Sequence, residues 1–120
     1  MKIINLTPHA IRIRFDASSD AIPLDSDLVV EPTKPAARIE QRSEPSTPIN
    51  GIPVMRAVFG GIVSLPAPRE GTVYIVSLPV GQAAGTQGRT DVVCPDTSPN
   101  GGAVRNSGQV YAVRGFQQFL

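Results

Sequence analysis

Side chains that carry out chemistry are scarce in this chain of 120 residues, which holds one His, one Cys and no Trp. A single His cannot form a two-His metal site, and no Cys/His cluster has the spacing of metal ligands. His9 directly precedes the first clear strand, where a structural role is favoured over general-base work. Cys94 has no disulfide partner within the chain, which is typical of a reducing cytosol, and a small buried hydrophobe is favoured over a nucleophile. No catalytic residue, metal or cofactor is therefore predicted.

Long apolar runs and an excess of one charge are also missing. No segment approaches about 20 uninterrupted apolar residues, so no membrane partner is expected. The first nine residues lack the apolar stretch and the cleavage site of a signal peptide. A formal net charge of +1 argues against a strongly electrostatic binder of long nucleic acid.

Twelve prolines and eleven glycines leave little room for long helices. The only plausible helix covers 80–84; Gly81 and Gly85 keep it to a turn or two, and Pro79 is expected to disturb it. The apolar runs are short and β-branched, with candidate strands at 11–15, 28–30, 36–40, 52–59, 72–77, 92–94 and 110–113.

These runs predict a mainly β fold, namely a sandwich or a small Greek-key-like antiparallel domain with one or two short helices. A single domain is expected to span residues 1–120. Asn50-Gly51 is a turn dipeptide, the run 72–77 suits a buried central strand, and the polar, Pro-interrupted segment 41–50 is expected to be an exposed loop.

Sequence motifs of common enzymes are absent: the chain has no Walker loop, no G-x-S-x-G and no H-E-x-x-H. Gly81, Gly85 and Gly88 do not match a dinucleotide-binding fingerprint, and no βαβ unit is expected around them. Asp91 and Asp96 can converge for acid–base work or form ion pairs with arginines, and the second arrangement is the commoner one.

Arginine is what the chain has in abundance, since nine of its eleven basic residues are Arg. The planar guanidinium donates to phosphate and carboxylate in a two-pronged manner that lysine cannot reproduce. Several arginines lie among Gly, Asn and Thr, which predicts a site for a small anion, with Phe59, Tyr74 or Tyr111 as a stacking aromatic. Arg12 and Arg14 are instead expected to be exposed on the first strand and uninvolved. The predicted ligand-binding residues are Arg56, Phe59, Arg89, Thr90, Asp91, Arg105, Asn106 and Arg114.

Several blocks resemble, in the same order, a family of short phage proteins, the first-described type of Thoeris anti-defence protein. The blocks are Ile4-Asn-Leu-Thr-Pro-His-Ala-Ile11, Gly51-Ile-Pro-Val-Met-Arg-Ala-Val-Phe-Gly60, Gly71-Thr-Val-Tyr-Ile-Val-Ser77, Arg89-Thr-Asp-Val-Val-Cys-Pro-Asp96, Ala103-Val-Arg105 and Gly108-Gln-Val-Tyr-Ala-Val-Arg-Gly-Phe116. Together they cover most of the chain except about residues 16–48.

The resemblance implies a sponge: a non-enzymatic protein that sequesters cyclic ADP-ribose isomers, and in some members cyclic oligonucleotides, made by bacterial defence enzymes. It implies a decorated Greek key in a symmetric homo-oligomer, with ligand at subunit boundaries, in the cytoplasm of the infected bacterium. Arg56 and Arg105 match the family's arginines, and Thr90 or its neighbours match a polar contact.

Two other interpretations are compatible with the sequence. In the first, the chain is an oligomeric virion or adaptor protein whose arginines form only interface ion pairs. In the second, it is a small phosphohydrolase that uses Asp91 and Asp96 with a recruited metal. Exposed strand edges in a small β domain predict a closed symmetric homo-oligomer.

Overall fold

A computed structural model describes residues 1–119 and has a mainly β architecture, which confirms the predicted fold class. One α-helix, α1, covers Leu78–Thr86, and a 3-10 turn covers Pro99–Gly101. The strands are β1 Lys2–Asn5, β2 Ile11–Ile13, β3 Leu28–Val30, β4 Arg38–Pro45, β5 Met55–Val63, β6 Thr72–Ile75, β7 Val92–Pro95, β8 Val104–Asn106, β9 Gln109–Ala112 and β10 Phe116–Gln117.

The central sheet has four strands in the order β1-β6-β7-β10. β6 pairs in parallel with β1 and β7, whereas β10 is antiparallel to β7. β6, α1 and β7 therefore form a βαβ unit, and the expectation that no such unit surrounds Gly81, Gly85 and Gly88 is wrong. The prediction of a buried central strand at 72–77 is confirmed, since Tyr74 and Ile75 of β6 are fully buried.

Helix α1 lies against this sheet despite its proline and glycines. Pro79 falls in the first turn, where the N–H groups of a helix lack partners. It therefore leaves α1 intact, and the expectation that it disturbs the helix is wrong. A Cβ at Gly81 would overlap the Sγ of Cys94, and a Cβ at Gly85 would overlap the backbone of Phe119. These glycines let the helix approach the sheet closely. None of the helices among residues 1–119 has the length and apolar character needed to cross a membrane.

The core lies between α1 and the central sheet. Buried side chains of the sheet and helix meet there. Leu6, which follows β1, and Ala37, which precedes β4, join them. The cluster consists of Leu6, Ala37, Tyr74, Val76, Val80, Ala84, Val92 and Cys94. Cys94 is thus a core residue, as the sequence predicted.

Strands β4 and β5 form a long antiparallel hairpin, here called the arm. Asn50 and Gly51 form its tip with φ of 50° and 77°, and two backbone hydrogen bonds join Ile49 and Ile52, which confirms the predicted turn. Residues 41–45 are exposed as expected, but they belong to β4 and not to a loop. The arm lengthens the molecule: the radius of gyration is 17.1 Å, whereas a compact 120-residue domain has about 14 Å.

Arg14 is buried, so the expectation that it is exposed is wrong. The segment after β2 folds back over it, and its guanidinium donates to both carboxylate oxygens of Asp27 and to the carbonyls of Ser19 and Ala21. The side chains of Arg14 and Asp27 are both inaccessible to solvent. The hydrogen bond from Arg14 lowers the pKa of Asp27 and raises that of Arg14.

The close approach of α1 to β7 gives a first prediction. Gly81→Ala is expected to lose about 1–3 kcal/mol of unfolding free energy, because the added methyl group overlaps the Cys94 sulfur. In a Cys94→Ala background the nearest other atoms lie 3.5 and 3.6 Å away. There the same change should be neutral or stabilising by up to about 1 kcal/mol, since Ala favours helix. Urea denaturation of the four proteins measures the coupling; an equal loss in both backgrounds would contradict this packing.

The buried ion pair gives a second prediction. Asp27→Asn should lower Tm by at least about 5 °C at neutral pH, because Arg14 keeps a buried charge without its partner. The folded-state pKa of Asp27 is depressed, so its contribution is complete above about pH 5 and is lost as pH falls below about 4. The Tm difference from wild type should therefore narrow on acidification. Asp25→Asn is the control, because Asp25 is exposed in the same segment. A similar loss of Tm in both variants would contradict the stabilising role of the Arg14–Asp27 ion pair.

Candidate functional site

The eight predicted ligand-binding residues fall into three separate groups. Arg56 and Phe59 lie on the arm, Arg89 to Asp91 follow α1, and the remaining residues belong to β8 and the segment after β9. Within residues 1–119, no hydrogen bond or ion pair connects one group to another. Nor is any described cavity lined by residues from two of these groups, so a single copy of the chain does not assemble them into one of these pockets.

In the group after α1, Arg89 is engaged within the fold. Its Nε and Nη2 donate to the two carboxylate oxygens of Asp91 at 2.8 and 2.9 Å, and Nη2 also donates to the carbonyl of Pro66. The hydrogen bond lowers the pKa of Asp91 and raises that of Arg89. Thr90 is exposed, and its carbonyl accepts a hydrogen bond from Gln118. This guanidinium fork is occupied by an internal carboxylate and holds the turn in place.

Arg114 has a similar architectural role. Its guanidinium donates to the carbonyls of Asp16, Ser19 and Gly102 and to the carboxylate of Asp20, at distances of 2.7 to 3.0 Å. These bonds connect the segment after β2 to the loop before β8. Arg114 and Arg14 both donate to the Ser19 carbonyl, so the two arginines hold the same segment.

Arg105 and Asn106, by contrast, are exposed on the β8–β9 hairpin. Arg105 makes one hydrogen bond within residues 1–119, from Nη2 to the carbonyl of Thr97 at 3.1 Å. Most of its five N–H donors therefore face solvent. Of the four predicted arginines, only Arg105 and Arg56 keep this donor capacity.

On the arm, Arg56 donates to the carboxylate of Glu44 at 2.8 Å, with 68% of its side chain exposed. Phe59 is 65% exposed. It borders two cavities, one of about 350 Å³ beside Gln41 and Arg42 and one of about 250 Å³ beside Pro79 of α1. An exposed aromatic face thus lies between a charged surface and an apolar one.

A cavity of about 240 Å³, here called the Tyr111 cavity, opens between β2, β9 and the end of β7. Its wall includes Arg12, Thr97, Val110 and Tyr111. The guanidinium carbon of Arg12 lies 4.8 Å from the centre of the Tyr111 ring, within the range of a cation–π interaction. Arg105 hydrogen-bonds to Thr97 of this wall and pairs with Val110 across the hairpin. Arg12 and Tyr111 therefore line one cavity, and Arg105 is attached to its wall through Thr97.

Sequence reasoning missed Arg12, which was expected to be exposed and uninvolved but is only partly exposed. It is brought to Tyr111 by two backbone hydrogen bonds, from the Arg14 N–H to the Val113 carbonyl at 2.8 Å and from the Val113 N–H to the Arg12 carbonyl at 2.9 Å. These bonds join positions about 100 residues apart, so no local pattern marks them. Tyr111 was named as a stacking aromatic, whereas Tyr74, also named, is buried in the core.

The acidic residues have separate partners. Asp91 and Asp96 lie at opposite ends of β7, and Asp96 accepts hydrogen bonds from the backbone N–H and hydroxyl of Ser98. Asp91 binds Arg89, as described above, which is the ion pair that the sequence favoured. In the part of the chain that the structure describes, no three His, Cys, Asp or Glu side chains are grouped to hold a metal. Burial raises the pKa of the Cys94 thiol to about 11, so it stays protonated at neutral pH.

Comparison of this chain with protein-family models, with curated proteins and with solved structures finds no match. The functional interpretation therefore depends on the geometry of these residues and on the resemblance of the sequence blocks described above.

The different engagement of two arginines gives a third prediction. Arg114→Ala should lose about 2 kcal/mol of unfolding free energy, because four charge-assisted hydrogen bonds disappear. Arg105→Ala should change it by no more than about 0.5 kcal/mol, as expected for an exposed side chain with one weak bond. Urea denaturation monitored by circular dichroism measures both. Equal losses would mean that Arg105 also maintains the fold.

Proposed function

We propose that this protein is a phage anti-defence sponge, which binds a cyclic nucleotide immune messenger and keeps it intact. The messenger is a cyclic ADP-ribose isomer made by a bacterial TIR-domain enzyme, and the site of action is the cytoplasm of the infected cell. The observation that carries the proposal is the Tyr111 cavity, which Arg12 and an aromatic ring line and to whose wall Arg105 is hydrogen-bonded at Thr97.

The chemistry of this cavity suits a ligand with phosphates and a base. Guanidinium groups bind phosphate oxygens through two-pronged hydrogen bonds, and an aromatic ring offers a face for stacking. Most N–H groups of Arg105 have no partner within residues 1–119. They can donate hydrogen bonds to a phosphate without breaking an internal ion pair. The resemblance in sequence independently selects Arg105.

The Tyr111 cavity is smaller than the roughly 300–1,000 Å³ that is usual for small-molecule pockets. A messenger with two phosphates and two riboses therefore needs a second surface to cover it. Arg56 and Phe59 offer guanidinium and aromatic groups on the arm, where both are exposed. They do not reach this cavity within one chain, so we assign them to a neighbouring copy.

Capture without turnover is supported by the state of the reactive groups. The Cys94 thiol is buried and has a pKa of about 11, so little thiolate exists at neutral pH. The Asp91 carboxylate is bound on both oxygens by Arg89. A sponge needs tight binding and no nucleophile, which agrees with this arrangement.

A second candidate function is an oligomeric virion or adaptor component without a small ligand. The exposed arm favours it, because Ile49, Ile52, Met55 and Phe59 are each more than half exposed. Apolar side chains concentrated on a projecting hairpin suit a protein–protein contact. A sponge that assembles through its arm accounts for the same exposure, so messenger binding decides between the two.

The deciding experiment follows the messenger through binding and release. The protein is incubated with a cyclic ADP-ribose isomer, removed by filtration, and heated, and the isomer is measured in the filtrate and in the heated supernatant. Depletion followed by return of the intact isomer supports the sponge. An altered product would indicate an enzyme, and a lack of depletion would favour the adaptor. A cyclic oligonucleotide in parallel tests the wider ligand class.

The fourth prediction assigns the binding energy. Arg105→Ala and Arg56→Ala should each weaken messenger binding by about 30- to 150-fold, because a partly buried Arg–phosphate contact contributes about 2–3 kcal/mol. Arg105→Lys should recover only part, since one ammonium cannot replace a two-pronged donor. Isothermal titration calorimetry gives the affinities.

Arg69→Ala is the matched control, because Arg69 is exposed, lies outside the arm and, unlike Arg105, has no hydrogen bond from its side chain to the wall of the Tyr111 cavity within residues 1–119. If it weakens binding as much as Arg105→Ala, the attraction is diffuse and the pocket is not the site. If neither Arg56→Ala nor Arg105→Ala changes the affinity, these two arginines do not bind the messenger.

A further inference from the structure

The outer edge of β4 has no strand beside it within residues 1–119. β4 pairs with β5 on one side only, in a two-stranded sheet that projects from the body. Backbone N–H and C=O groups on such an edge can pair with another strand. At eight residues, β4 is long enough to form a continuous ladder.

Charges of alternating sign follow this edge at every second position. The row consists of Arg38, Glu40, Arg42 and Glu44. Arg42 lies 3.1 Å from Glu44, which confirms that these two side chains project from the same face. Proteins that keep strand edges apart use charges that repel an incoming copy, as a row of one sign would. A row that alternates in sign attracts a copy in the correct register.

We propose that β4 pairs with β4 of a second copy in antiparallel orientation, with Gln41 opposite Gln41. Arg38 then lies opposite Glu44 of the second copy, and Glu40 lies opposite its Arg42. Two-fold symmetry repeats both pairs, so four ion pairs cross the contact. A shift of two positions places Arg38 opposite Arg42 and Glu40 opposite Glu40, which puts like charges together. The charges therefore select one register.

A second copy suits this edge better than a different partner, because a two-fold contact requires a self-complementary surface and the row is one. The other arm edge, β5, has a single charge at Arg56 and contains Gly60 and Gly61. A single charge on β5 cannot specify the register of an incoming strand. The irregularity between Ile39 and Gln41 lies in the pairing with β5, which leaves the opposite edge of β4 available.

The shape of the arm agrees with this contact. Antiparallel pairing carries the tip of each arm past Arg38, toward the base of the other arm. The tip exposes Ile49 and Ile52, at 62% and 63%. At the base, the 250 Å³ cavity between Ile39, Phe59 and Pro79 presents a largely apolar surface. The two copies thus bring exposed apolar groups toward one another.

This inference names the surface behind the homo-oligomer of the proposed function, but it does not depend on a messenger, since the edges pair with or without ligand. The test uses two charge-reversal variants of the full chain. Glu40→Arg/Glu44→Arg makes the row entirely positive, and Arg38→Glu/Arg42→Glu makes it entirely negative. Light scattering and native mass spectrometry measure the assembly at about 50 μM, a concentration at which a dimer with a Kd of about 1 μM is largely formed.

The wild type should have at least twice the chain mass of 12.7 kDa. Each variant alone should self-associate at least tenfold more weakly, and an equimolar mixture should recover the wild-type mass as a complex that contains both variants. Asp25→Arg/Glu31→Arg, with the same change in net charge at two exposed positions, should assemble like the wild type. Circular dichroism checks that all proteins are folded.

A monomeric wild type, variants that assemble normally, or a mixture that stays dissociated would each overturn the proposal. Messenger capture is measured on the same samples. Loss of capture in a wild type that assembles through this edge counts against the sponge and leaves the contact standing. Normal capture by dissociated variants supports this contact and shows that a single copy binds the messenger.

Discussion

The close approach of α1 to the central sheet is the constraint on which the rest of the structure depends. Gly81 and Gly85 lie four residues apart on one face of the helix, against Cys94 and Phe119. Because a side chain at either position would overlap its neighbour, Gly81 sets the distance between the helix and β7, and Gly85 lets the segment after β10 lie against the helix. The crossover then places β7 beside β6 in parallel, and the end of β7 delivers Pro95 and Thr97 to the Tyr111 cavity.

The arginines that dominate the basic residues turn out to have different tasks. Arg14 and Arg89 bind internal carboxylates, Arg114 binds mainly carbonyl groups, and Arg12 lies over Tyr111. The planar fork that suits phosphate also suits a loop that folds back on itself. An abundance of Arg therefore predicts two-pronged contacts, but it does not say whether the acceptor is a ligand or the chain itself. Among the four arginines predicted at the site, donor occupancy makes that distinction, and it favours Arg56 and Arg105 over Arg89 and Arg114.

Local chemistry explains which features could be predicted from the sequence. The Asn50-Gly51 turn follows from two residues that tolerate positive φ, and the buried strand β6 follows from a short β-branched run. The βαβ unit was missed because Pro79 and the glycines made the helix expected at 80–84 look too short for a crossover, although Pro79 occupies a permitted position and Gly81 packs against sulfur. The burial of Arg14 and the position of Arg12 depend on partners that are distant along the chain, Asp27 and Val113. Periodicity within β2 contains no information about them.

The candidate binding groups are divided between the body and the arm, so ligand binding is connected to assembly of the protein. The Tyr111 cavity is small and is lined by Arg12 and Tyr111, with Arg105 bound to its wall at Thr97. The arm holds a further arginine, Arg56, and a second aromatic ring, Phe59, and both are exposed. If each surface binds only part of a ligand, affinity depends on bringing two copies together, and the ligand in turn stabilises the assembly. An arm with an alternating charged edge holds the copies in register before ligand arrives. The entropy lost in bringing the two copies together is then offset by the protein contact. More of the free energy of the arginine–phosphate interaction is left for binding the ligand.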